Sequence, residues 1–583
     1  MIQYTDTRGL SSRSYSFTEV VLTGLAPDGG LFVPEHLPHF SLEELQAMQS
    51  LPYHAVAARI FKAFQPNIAD EAIDALCAQA YGQQFDDERI VPVHSLNNHT
   101  HVLELWHGPT SAFKDIALQA LPLFFDEGIN ANSAGGTGAG CAGGAGSGIS
   151  ASGAGIGVNA GGAWIAAGSA SGNIDTSASA QTRSQAASLH SQAASQRSQS
   201  SAQAGSKRLI LVATSGDTGS AALCGFSHAH NTSMAVLYPH QHVSEMQRTQ
   251  MQAHASNQAR IFAVRGNFDD CQRAVKELFG NPEWNHTLQS HYNTYLSSAN
   301  SINWGRLLPQ IVYYVSAYHQ LREQGVLQEC GCFDVCVPTG NFGNILAGYY
   351  AKQIGVPIRL LICASNENNV LAQFMATGSY SLEKRPLVST PSPSMDILVS
   401  SNLERALFEL TQRNARLVRA WMEALKTKQA FKIDRTTFDA LRDTFAGDWV
   451  SNDDCLRTMK HIFETYRYAM DPHSAIAFEV AQRLGDSSTP MLIVSTASWA
   501  KFSASMYRAL HNIANNQPLP SAIAQCSSFQ LNALLAEKFG LSVPPALTQD
   551  RLATTHAAVQ LDRNTADIQA ALEQFQRELA CGK

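Results

Sequence analysis

Three stretches of this chain repeat one pattern, in which a short, mostly apolar run is followed by a glycine-containing turn and then by a helical segment. The runs are Leu103–Trp106, Arg208–Val212 and Phe333–Pro338. After the third turn the chain continues as a predicted helix over Ile345–Ile354 and a further apolar run at Ile358–Cys363. A strand that returns through a helix to a second strand forms a parallel sheet with a right-handed crossover. The sequence therefore predicts an α/β fold built on parallel sheets.

A lysine follows the first run. Residues 107–109, His-Gly-Pro, end the strand because Gly and Pro interrupt regular structure, and Thr110 and Ser111 are predicted to cap the next helix. Lys114 then lies in the first helical turn, where the helix dipole disfavours a positive charge. We expect its pKa to be depressed, and a neutral amine is what Schiff-base formation requires. The alternative is a solvated lysine at the start of a surface helix.

The other two turns are predicted to bind anions. A loop between a strand and the start of a helix directs backbone N–H groups at an anion, and the helix dipole adds to the attraction. The loop after the third run lacks Gly-Lys-Ser/Thr, so it is not a nucleotide P-loop. Ordinary turns of an α/β protein are the alternative for both loops. The candidate residues are Ser215, Gly216, Asp217 and Thr218 in one loop and Gly340, Asn341, Phe342, Gly343 and Asn344 in the other.

A polar segment at residues 297–304 leads into an apolar helical pattern. Just beyond it, Arg306 offers a planar fork of donors that suits a carboxylate or a phosphate. The alternative is a segment whose polar side chains only cap the helix.

Charge and length narrow the class of protein. The 583 residues carry a net charge of −7, whereas nucleic-acid-binding proteins usually show a basic stripe. No apolar run reaches the roughly 18 residues that span a bilayer, and the start of the sequence lacks the features of a signal peptide. The 11 cysteines are scattered, which favours reduced thiols over a disulfide framework or a metal site. We expect a cytoplasmic protein of two or three domains, with no nucleic-acid, membrane or metal partner.

Residues 131–206 differ in composition from the rest of the chain. They are almost entirely Gly, Ala, Ser, Gln and Asn, with very few large apolar side chains. Such a segment buries too little apolar surface to offset the entropy of ordering it, so we expect a flexible insert. A partner-binding arm is the alternative. Since the cost of loop closure grows slowly with length, a fold can accommodate an insert at a surface loop.

Residues 107–115, His-Gly-Pro-Thr-Ser-Ala-Phe-Lys-Asp, resemble the lysine motif of threonine synthases, a family of pyridoxal-phosphate enzymes of fold type II. Other segments similar to this family lie at 24–35, 213–220, 297–304, 339–344, 394–405 and 471–477. The resemblance implies that Lys114 forms a Schiff base with pyridoxal 5'-phosphate, that residues 340–344 hold its phosphate and that Thr496 hydrogen-bonds its pyridine nitrogen. It also implies two groups of substrate-binding residues, Ser215, Gly216, Asp217 and Thr218 in the first and Asn300, Ser301, Asn303 and Arg306 in the second.

The resemblance further implies an architecture related to the tryptophan synthase β subunit, with two parallel-sheet domains, a cofactor cleft between them and an N-terminal domain. The expected domain limits are 1–100 for the N-terminal domain, 101–296 for the lysine and substrate-loop domain and 297–583 for the phosphate-loop domain with the C-terminal helices. The expected enzyme is a monomer or a homodimer. It converts O-phospho-L-homoserine and water to L-threonine and phosphate by γ-elimination and β-addition. The alternatives are a related phospho-lyase, a serine/threonine dehydratase, or a non-catalytic scaffold that uses the insert.

The sequence departs from the family pattern in two places. Trp499 stands where the family usually has Pro, and its position three residues after Thr496 leads us to expect it near the cofactor. The insert at 131–206 replaces what is normally a short link between the lysine helix and the next strand.

Deletion of residues 132–206 is expected to leave turnover nearly unchanged, because a segment without large apolar side chains contributes little to a core. The measurement compares threonine formation per mole of folded protein in the full chain and in the deletion variant. A large loss of turnover in a variant that keeps the native circular-dichroism spectrum would contradict this prediction.

Overall fold

The computed structural model describes residues 2–581 except for 12, 28, 65, 135–206, 241–242, 329–330 and 554–555. The predicted flexible insert therefore lies almost entirely outside the described residues. The chain divides into two compact units, one formed by residues 1–128 and 207–583 and the other by residues 129–206. The described part of the second unit is the end of one helix, which stops at Ala134. All of the β-strands described below belong to the first unit.

The strands, in chain order, are β1 Tyr4–Asp6, β2 Phe32–Pro34, β3 Val93–Ser95, β4 Thr100–Glu104, β5 Lys207–Ala213, β6 Thr232–Pro239, β7 Ala259–Arg265, β8 Thr294–Ser297, β9 Phe333–Pro338, β10 Ile358–Ser365, β11 Ser379–Ser381, β12 Ala430–Lys432, β13 Phe445–Trp449, β14 Met491–Ser495 and β15 Val559–Asp562.

The helices are α1 Phe17–Thr23, α2 Leu42–Ala47, α3 Tyr53–Ala63, α4 Asp70–Ala80, α5 Lys114–Ala134, α6 Asp217–Gly225, α7 Glu245–His254, α8 Phe268–Phe279, α9 Pro282–Tyr292, α10 Trp304–Glu323, α11 Gly343–Gln353, α12 Val370–Thr377, α13 Leu403–Leu410, α14 Ala415–Lys428, α15 Arg435–Thr444, α16 Asn452–Tyr466, α17 Pro472–Leu484, α18 Ser503–Leu510, α19 Ser521–Ala524, α20 Ser528–Phe539 and α21 Thr565–Ala580.

Two larger sheets organise the first unit. The six-stranded sheet has the order β13-β10-β9-β14-β4-β3 and is parallel except for the antiparallel pair of β3 and β4. The five-stranded sheet has the order β15-β7-β6-β5-β8 and is parallel throughout. Two short antiparallel pairs, β1 with β2 and β11 with β12, complete the described strands. The prediction of an α/β fold with parallel sheets is confirmed.

The central strands are buried on both faces, which explains why they are continuous apolar runs. All six residues of β9, from Phe333 to Pro338, are buried, as expected for a parallel strand covered by helices on both sides. The first predicted run is displaced, since β4 covers Thr100–Glu104 and ends before Trp106. Its polar residues Thr100 and His101 are buried because β4 pairs along its whole length with β14. An apolar run alone does not reveal such residues.

The parallel pairing gathers several loops at one edge of each sheet. In the six-stranded sheet, Ser495 of β14 lies opposite Glu104 of β4, so the loops that follow these two strands begin side by side. In the five-stranded sheet, β5 pairs with β8, and the loops after these strands are also neighbours. Open α/β sheets bind ligands at the carboxyl ends of their strands. The loops singled out from the sequence all follow such ends.

The expected domain limits remain a prediction. The strands between residues 101 and 296 lie in both larger sheets, because β4 pairs with β14 whereas β5 to β8 form most of the five-stranded sheet. Within the described part of the chain, no helix combines the length and the apolar character needed to cross a bilayer.

Helix α6 approaches helix α5 so closely that only glycine fits at the contact. A Cβ on Gly225, the last residue of α6, would lie 1.9 Å from the backbone oxygen of Leu118 in α5. Since a backbone atom cannot rotate away, the two helices would have to separate. Lys114 opens α5 four residues before Leu118, so this close contact lies near the start of the helix that carries the lysine.

Gly225→Ala is expected to lower the free energy of unfolding by about 3 kcal/mol, because overpacking at a close backbone contact forces the helices apart. Denaturant titration followed by circular dichroism measures the change. Gly280→Ala is the matched control, since the nearest atom to its Cβ would be the Lys276 backbone oxygen at 3.4 Å. Equal stability of the two variants would show that the contact between the helices is not tight.

Candidate active site

The loops at the carboxyl ends of β5, β8, β9 and β14 surround one cavity together with the start of α5. About 780 Å³ of space, which includes open solvent, lies between its lining atoms. The sequence-predicted residues that line it are Lys114, Ser215, Thr218, Asn300, Ser301, Arg306, Gly340, Asn341, Phe342, Gly343, Asn344 and Thr496. The structure thus brings together residues separated by almost 400 positions. Gly216, Asp217 and Asn303 are not among the lining residues.

The lysine loop is held against the end of β14. The Phe113 amide donates to the Thr496 carbonyl oxygen at 2.9 Å, and Ala112 forms a bridge with Ala497. The predicted helix cap at Thr110 is wrong, because Thr110 donates hydrogen bonds to the helix instead of accepting them from its backbone amides. The backbone amide and the hydroxyl of Thr110 donate to the Asp115 carboxylate at 2.9 and 2.6 Å. The carboxylate at the start of the helix therefore fixes the loop that carries Lys114.

Lys114 is held largely without water, with 9% of its side chain exposed. Burial lowers the pKa of this lysine to about 8, and the nearby Arg306 and Lys501 cations also lower it. The Asp217 carboxylate, whose Oδ2 lies 3.4 Å from Lys114 Nζ, opposes the shift. The predicted direction is confirmed, but burial, which the sequence did not reveal, is the main cause.

Asp217 is the first residue of α6 and is buried next to the cavity without lining it. Its Oδ1 accepts from Lys501 Nζ and from Gln247 Nε2, each at 2.8 Å, and its Oδ2 accepts from the Ser394 hydroxyl at 3.0 Å. Burial would raise the pKa of this carboxyl, but the two lysines and these hydrogen bonds hold it well below its usual value. Asp217 is therefore an ionised group that contacts Lys114 from behind.

The loop after β9 presents an unpaired donor to the cavity. The hydroxyls of Tyr313 and Tyr314 both donate to Asn344 Oδ1 at 2.6 Å, which fixes the orientation of the amide. Asn344 Nδ2 is buried and has no hydrogen-bond partner among the described residues. Phe342 adopts a left-handed conformation with φ of 64°, and α11 begins at the next residue. The loop thus combines a helix N-terminus with a side-chain donor that lacks an acceptor, an arrangement that suits an anion.

Gly340 leaves room that any other residue would fill. A Cβ at this position would lie 2.9 Å from the Ser394 backbone oxygen and 3.0 Å from Ile397 Cδ1. The loop after β9 therefore packs closely on the segment around Ser394, and only glycine permits this approach.

Arg306 places a second cationic group on the cavity wall. Its guanidinium is buried and donates to the Ala299 carbonyl oxygen at 2.7 Å, and it forms no ion pair with a carboxylate of the described residues. Burial lowers its pKa to about 10, which still leaves the group charged at neutral pH. Asn300 ties the same loop to the end of β5 by donating to the Ala213 carbonyl oxygen at 3.0 Å. A buried cation without a counter-ion is suited to an anionic ligand.

Asn303 has a structural position. Its Oδ1 accepts from the Gly305 amide at the start of α10, and its Nδ2 donates to the carbonyl oxygens of Val21 and Ser298. The residue is fully buried and makes these bonds away from the cavity lining. It links the N-terminal segment to the loop that carries Asn300 and Arg306, and its predicted substrate role stays a prediction.

Trp499 does not border the cavity, so the expectation based on its position near Thr496 is wrong. Its ring is buried in the apolar core formed with α16, α17 and α20, and its Nε1 donates to the Ser542 carbonyl oxygen at 3.1 Å. A short 3-10 turn over Trp499–Phe502 carries the ring away and brings Lys501 toward Asp217 instead.

Several residues of the site were missed in the sequence. Ser394 lies within 3.4 Å of Lys114 Nζ, and its backbone amide donates to His473 Nε2 at 3.2 Å. Gln247 and Lys501 meet at Asp217 from two different helical segments. These residues are far apart in the chain, and neither Gln247 nor Ser394 lies in a loop that directly follows a strand, so spacing gave no signal. For Ser394 and His473, the only signal was that their segments also resemble the family.

Comparison with known families defines the class. The model described as "Pyridoxal-phosphate dependent enzyme" matches residues 182–496. The models described as "Threonine synthase N terminus" and "Threonine synthase, C-terminal" match residues 3–81 and 474–530. The fold, the cavity and these matches place the chain among the pyridoxal-phosphate-dependent enzymes of fold type II.

Whole-chain relatives narrow the class further. A threonine synthase from Pseudomonas aeruginosa is 34% identical over 525 residues, which cover 90% of this chain and 93% of that protein. The solved structure of threonine synthase with bound pyridoxal phosphate from Brucella melitensis covers 99% of this chain and 100% of its own, with 30% identity and a TM-score of 0.73. The chain belongs to the threonine synthase family.

A third relative is longer than this chain. The human protein "Threonine synthase-like 1" is 36% identical over 502 residues, or 85% of this chain. The match spans 58% of the length of that human protein.

The residues of the cavity fit pyridoxal 5'-phosphate. The unpaired Asn344 Nδ2 and the N-terminus of α11 suit its phosphate, and Lys114 supplies an amine of lowered pKa for its aldehyde. Thr496 lines the cavity and carries a hydroxyl suited to the pyridine nitrogen. These residues would hold the group if it binds here.

The double substitution Tyr313→Phe with Tyr314→Phe is expected to weaken binding of pyridoxal phosphate roughly fivefold. The Asn344 amide would lose the two hydroxyls that orient it, and a hydrogen bond of this kind contributes about 1 kcal/mol. Equilibrium dialysis measures the affinity, with Tyr318→Phe on the same helix as the control. An affinity that stays equal to that of the control would contradict the orienting role.

Proposed function

We propose that this chain is a threonine synthase, which uses pyridoxal 5'-phosphate to convert O-phospho-L-homoserine and water to L-threonine and phosphate. Membership of the family supports the reaction. The observation that carries the proposal is the placement of Lys114, a buried amine of lowered pKa, in one cavity with two separate anion-binding elements. These elements are the loop at 340–344 and the guanidinium of Arg306, which forms no ion pair with a carboxylate of the described residues.

Two anion-binding elements match the two anionic molecules that must enter, the cofactor and the substrate. The cofactor carries one phosphate, which the N-terminus of α11 and Asn344 would hold. The substrate carries a carboxylate and a phosphate of its own, and Arg306 offers a forked donor pair for either. Ser215, Thr218, Asn300 and Ser301 line the same wall and would add hydrogen bonds to the substrate.

The chain's own residues provide an amine that can carry a proton and the polar groups that orient it. Pyridoxal phosphate, when bound, supplies an aldehyde that bonds to amines and a ring that stores electrons during bond cleavage. Lys114, as a neutral amine, can take the Cα proton of the substrate and return a proton later in the reaction. Ser394 and Asp217 lie 3.4 Å from its Nζ and direct the amine. Burial of the Lys114 and Asp217 side chains limits the water that competes for these two groups.

We further propose that the enzyme works in the cytoplasm with a small-molecule substrate, without nucleic acid or membrane, and as a monomer or a homodimer. The acidic net charge of −7 supports the proposal about nucleic acid. The roles given to Gly216 and Asn303 as substrate ligands are part of the prediction from resemblance. Neither residue lines the cavity, so an indirect role in substrate binding suits their positions better than direct contact with the substrate.

The purified chain, supplied with pyridoxal phosphate and O-phosphohomoserine, is expected to release phosphate and threonine in equal amounts. Both products are measured in the same reaction mixture. Release of phosphate with 2-oxobutyrate and ammonia would instead indicate a phospho-lyase. Consumption of serine or threonine without phosphate release would indicate a dehydratase, and failure to bind the cofactor would favour a scaffold.

Borohydride treatment with pyridoxal phosphate is expected to label the peptide that contains Lys114, with an extent that rises with pH and is half-maximal near pH 8. Only the neutral amine reacts, and a pKa lowered to about 8 makes this form the majority above that pH and the minority below it. Mass spectrometry of the labelled peptide gives the extent. Lys114→Ala should abolish the label, whereas Lys432→Ala, at an exposed position, should not. A profile centred near pH 10.5 would show that Lys114 is not perturbed.

A further inference from the structure

A second lysine lies behind the first. Lys501 has a fully buried side chain, and its Nζ donates to Asp217 Oδ1 and to the Thr110 carbonyl oxygen, each at 2.8 Å. It belongs to the short 3-10 turn that follows β14. It is not among the residues that line the cavity. Both groups that accept from Lys501 Nζ belong to the protein, so its charge acts on the protein's own groups.

The Asp217 carboxylate divides its two oxygens between the lysines unequally. Oδ1 lies 2.8 Å from Lys501 Nζ, whereas Oδ2 lies 3.4 Å from Lys114 Nζ. The Ser394 hydroxyl also donates to Oδ2, at 3.0 Å, and Gln247 Nε2 also donates to Oδ1, at 2.8 Å. The carboxylate is thus fully hydrogen-bonded without a strong bond to Lys114.

A buried carboxylate needs one positive charge close by, or it takes up a proton. If Lys114 were the only cation at Asp217, the pair would favour the ammonium form of Lys114, and the amine would be unreactive. With Lys501 as partner, the carboxylate is compensated whether Lys114 is charged or neutral. The Lys501 cation also disfavours a second positive charge nearby.

We propose that Lys501 is a positioning residue that acts as the permanent counter-ion of Asp217 and so leaves Lys114 free to be a neutral amine. The inference rests on the proposed function, because it explains how that amine is kept reactive. It concerns a group that is not among the residues lining the cavity.

Other charged or titratable groups face this cluster from the neighbouring elements. Arg306 on α10 is a cation near Lys114, and His473 on α17 accepts the Ser394 amide. Asp115 on α5 binds Thr110, whose carbonyl oxygen accepts from Lys501. His254 on α7 is half-buried, and burial together with the Lys501 charge lowers its pKa. Of these groups, Lys501 alone forms an ion pair with Asp217 besides Lys114 in the described structure.

The pH midpoint of borohydride labelling at Lys114, measured on the full chain, tests the proposal. Lys501→Met is expected to raise the midpoint by about one pH unit or more, because Asp217 then pairs with Lys114 alone. Asp217→Asn is expected to lower it, since the Lys501 cation then remains uncompensated. The double variant Lys501→Met with Asp217→Asn should lie between the two single variants, because neither charge remains. Lys501→Arg, which keeps the cation, should stay near the unmodified chain.

An unchanged midpoint in Lys501→Met would overturn the proposal, because a purely structural lysine would alter stability without moving the titration of Lys114. If Lys501→Met does not fold, the comparison of Asp217→Asn with the double variant decides. A midpoint in the double variant no higher than in Asp217→Asn would then overturn the proposal. Failure of the unmodified chain to accept any label would contradict the proposed function instead, so the two failures are distinguishable.

Discussion

The ion pair between Asp217 and Lys501 joins the two halves of the site. Asp217 opens the helix that follows β5 in the five-stranded sheet, whereas Lys501 follows β14 in the six-stranded sheet. Their 2.8 Å contact is buried, where Coulomb attraction is screened far less than in water. Lys114 contacts the same carboxylate from the start of α5. One carboxylate therefore connects both sheets and sets the electrostatic surroundings of the amine.

The polar groups that lack a hydrogen-bond or ion-pair partner among the described residues indicate what kind of ligand the cavity suits. Buried polar groups in folded proteins almost always find a hydrogen-bond partner, because an unmade bond costs stability. Asn344 Nδ2 has none among the described residues, and Arg306 has no carboxylate among them. Both residues line the cavity; Arg306 is cationic, and the Asn344 amide donates hydrogen bonds. An anionic ligand would satisfy them, which is why a phosphate-bearing cofactor and an anionic substrate fit the cavity.

The local sequence predicted where the loops after β5 and β9 lie, for a physical reason. The residues of a strand-loop-helix unit are contiguous, so their backbone geometry follows from nearby glycines and the start of the helix, as at 340–344. It predicted Lys114 as the reactive amine, but attributed its lowered pKa to the helix dipole, although burial is the main cause. It placed Trp499 beside the cavity, whereas a single short turn carries that ring into the core. Errors of this kind arise where one turn decides the direction of a side chain.

The sequence by itself determined the fold class and the positions of the lysine and of the glycine-containing loops after β5 and β9, because each depends on neighbouring residues and their periodicity. Only the tertiary structure decided which distant groups surround that lysine. Ser394, Gln247 and Lys501 come from three separate segments and meet at Asp217 only in the folded chain. The charge state of a buried amine depends on all the groups around it, and no stretch of sequence contains them together.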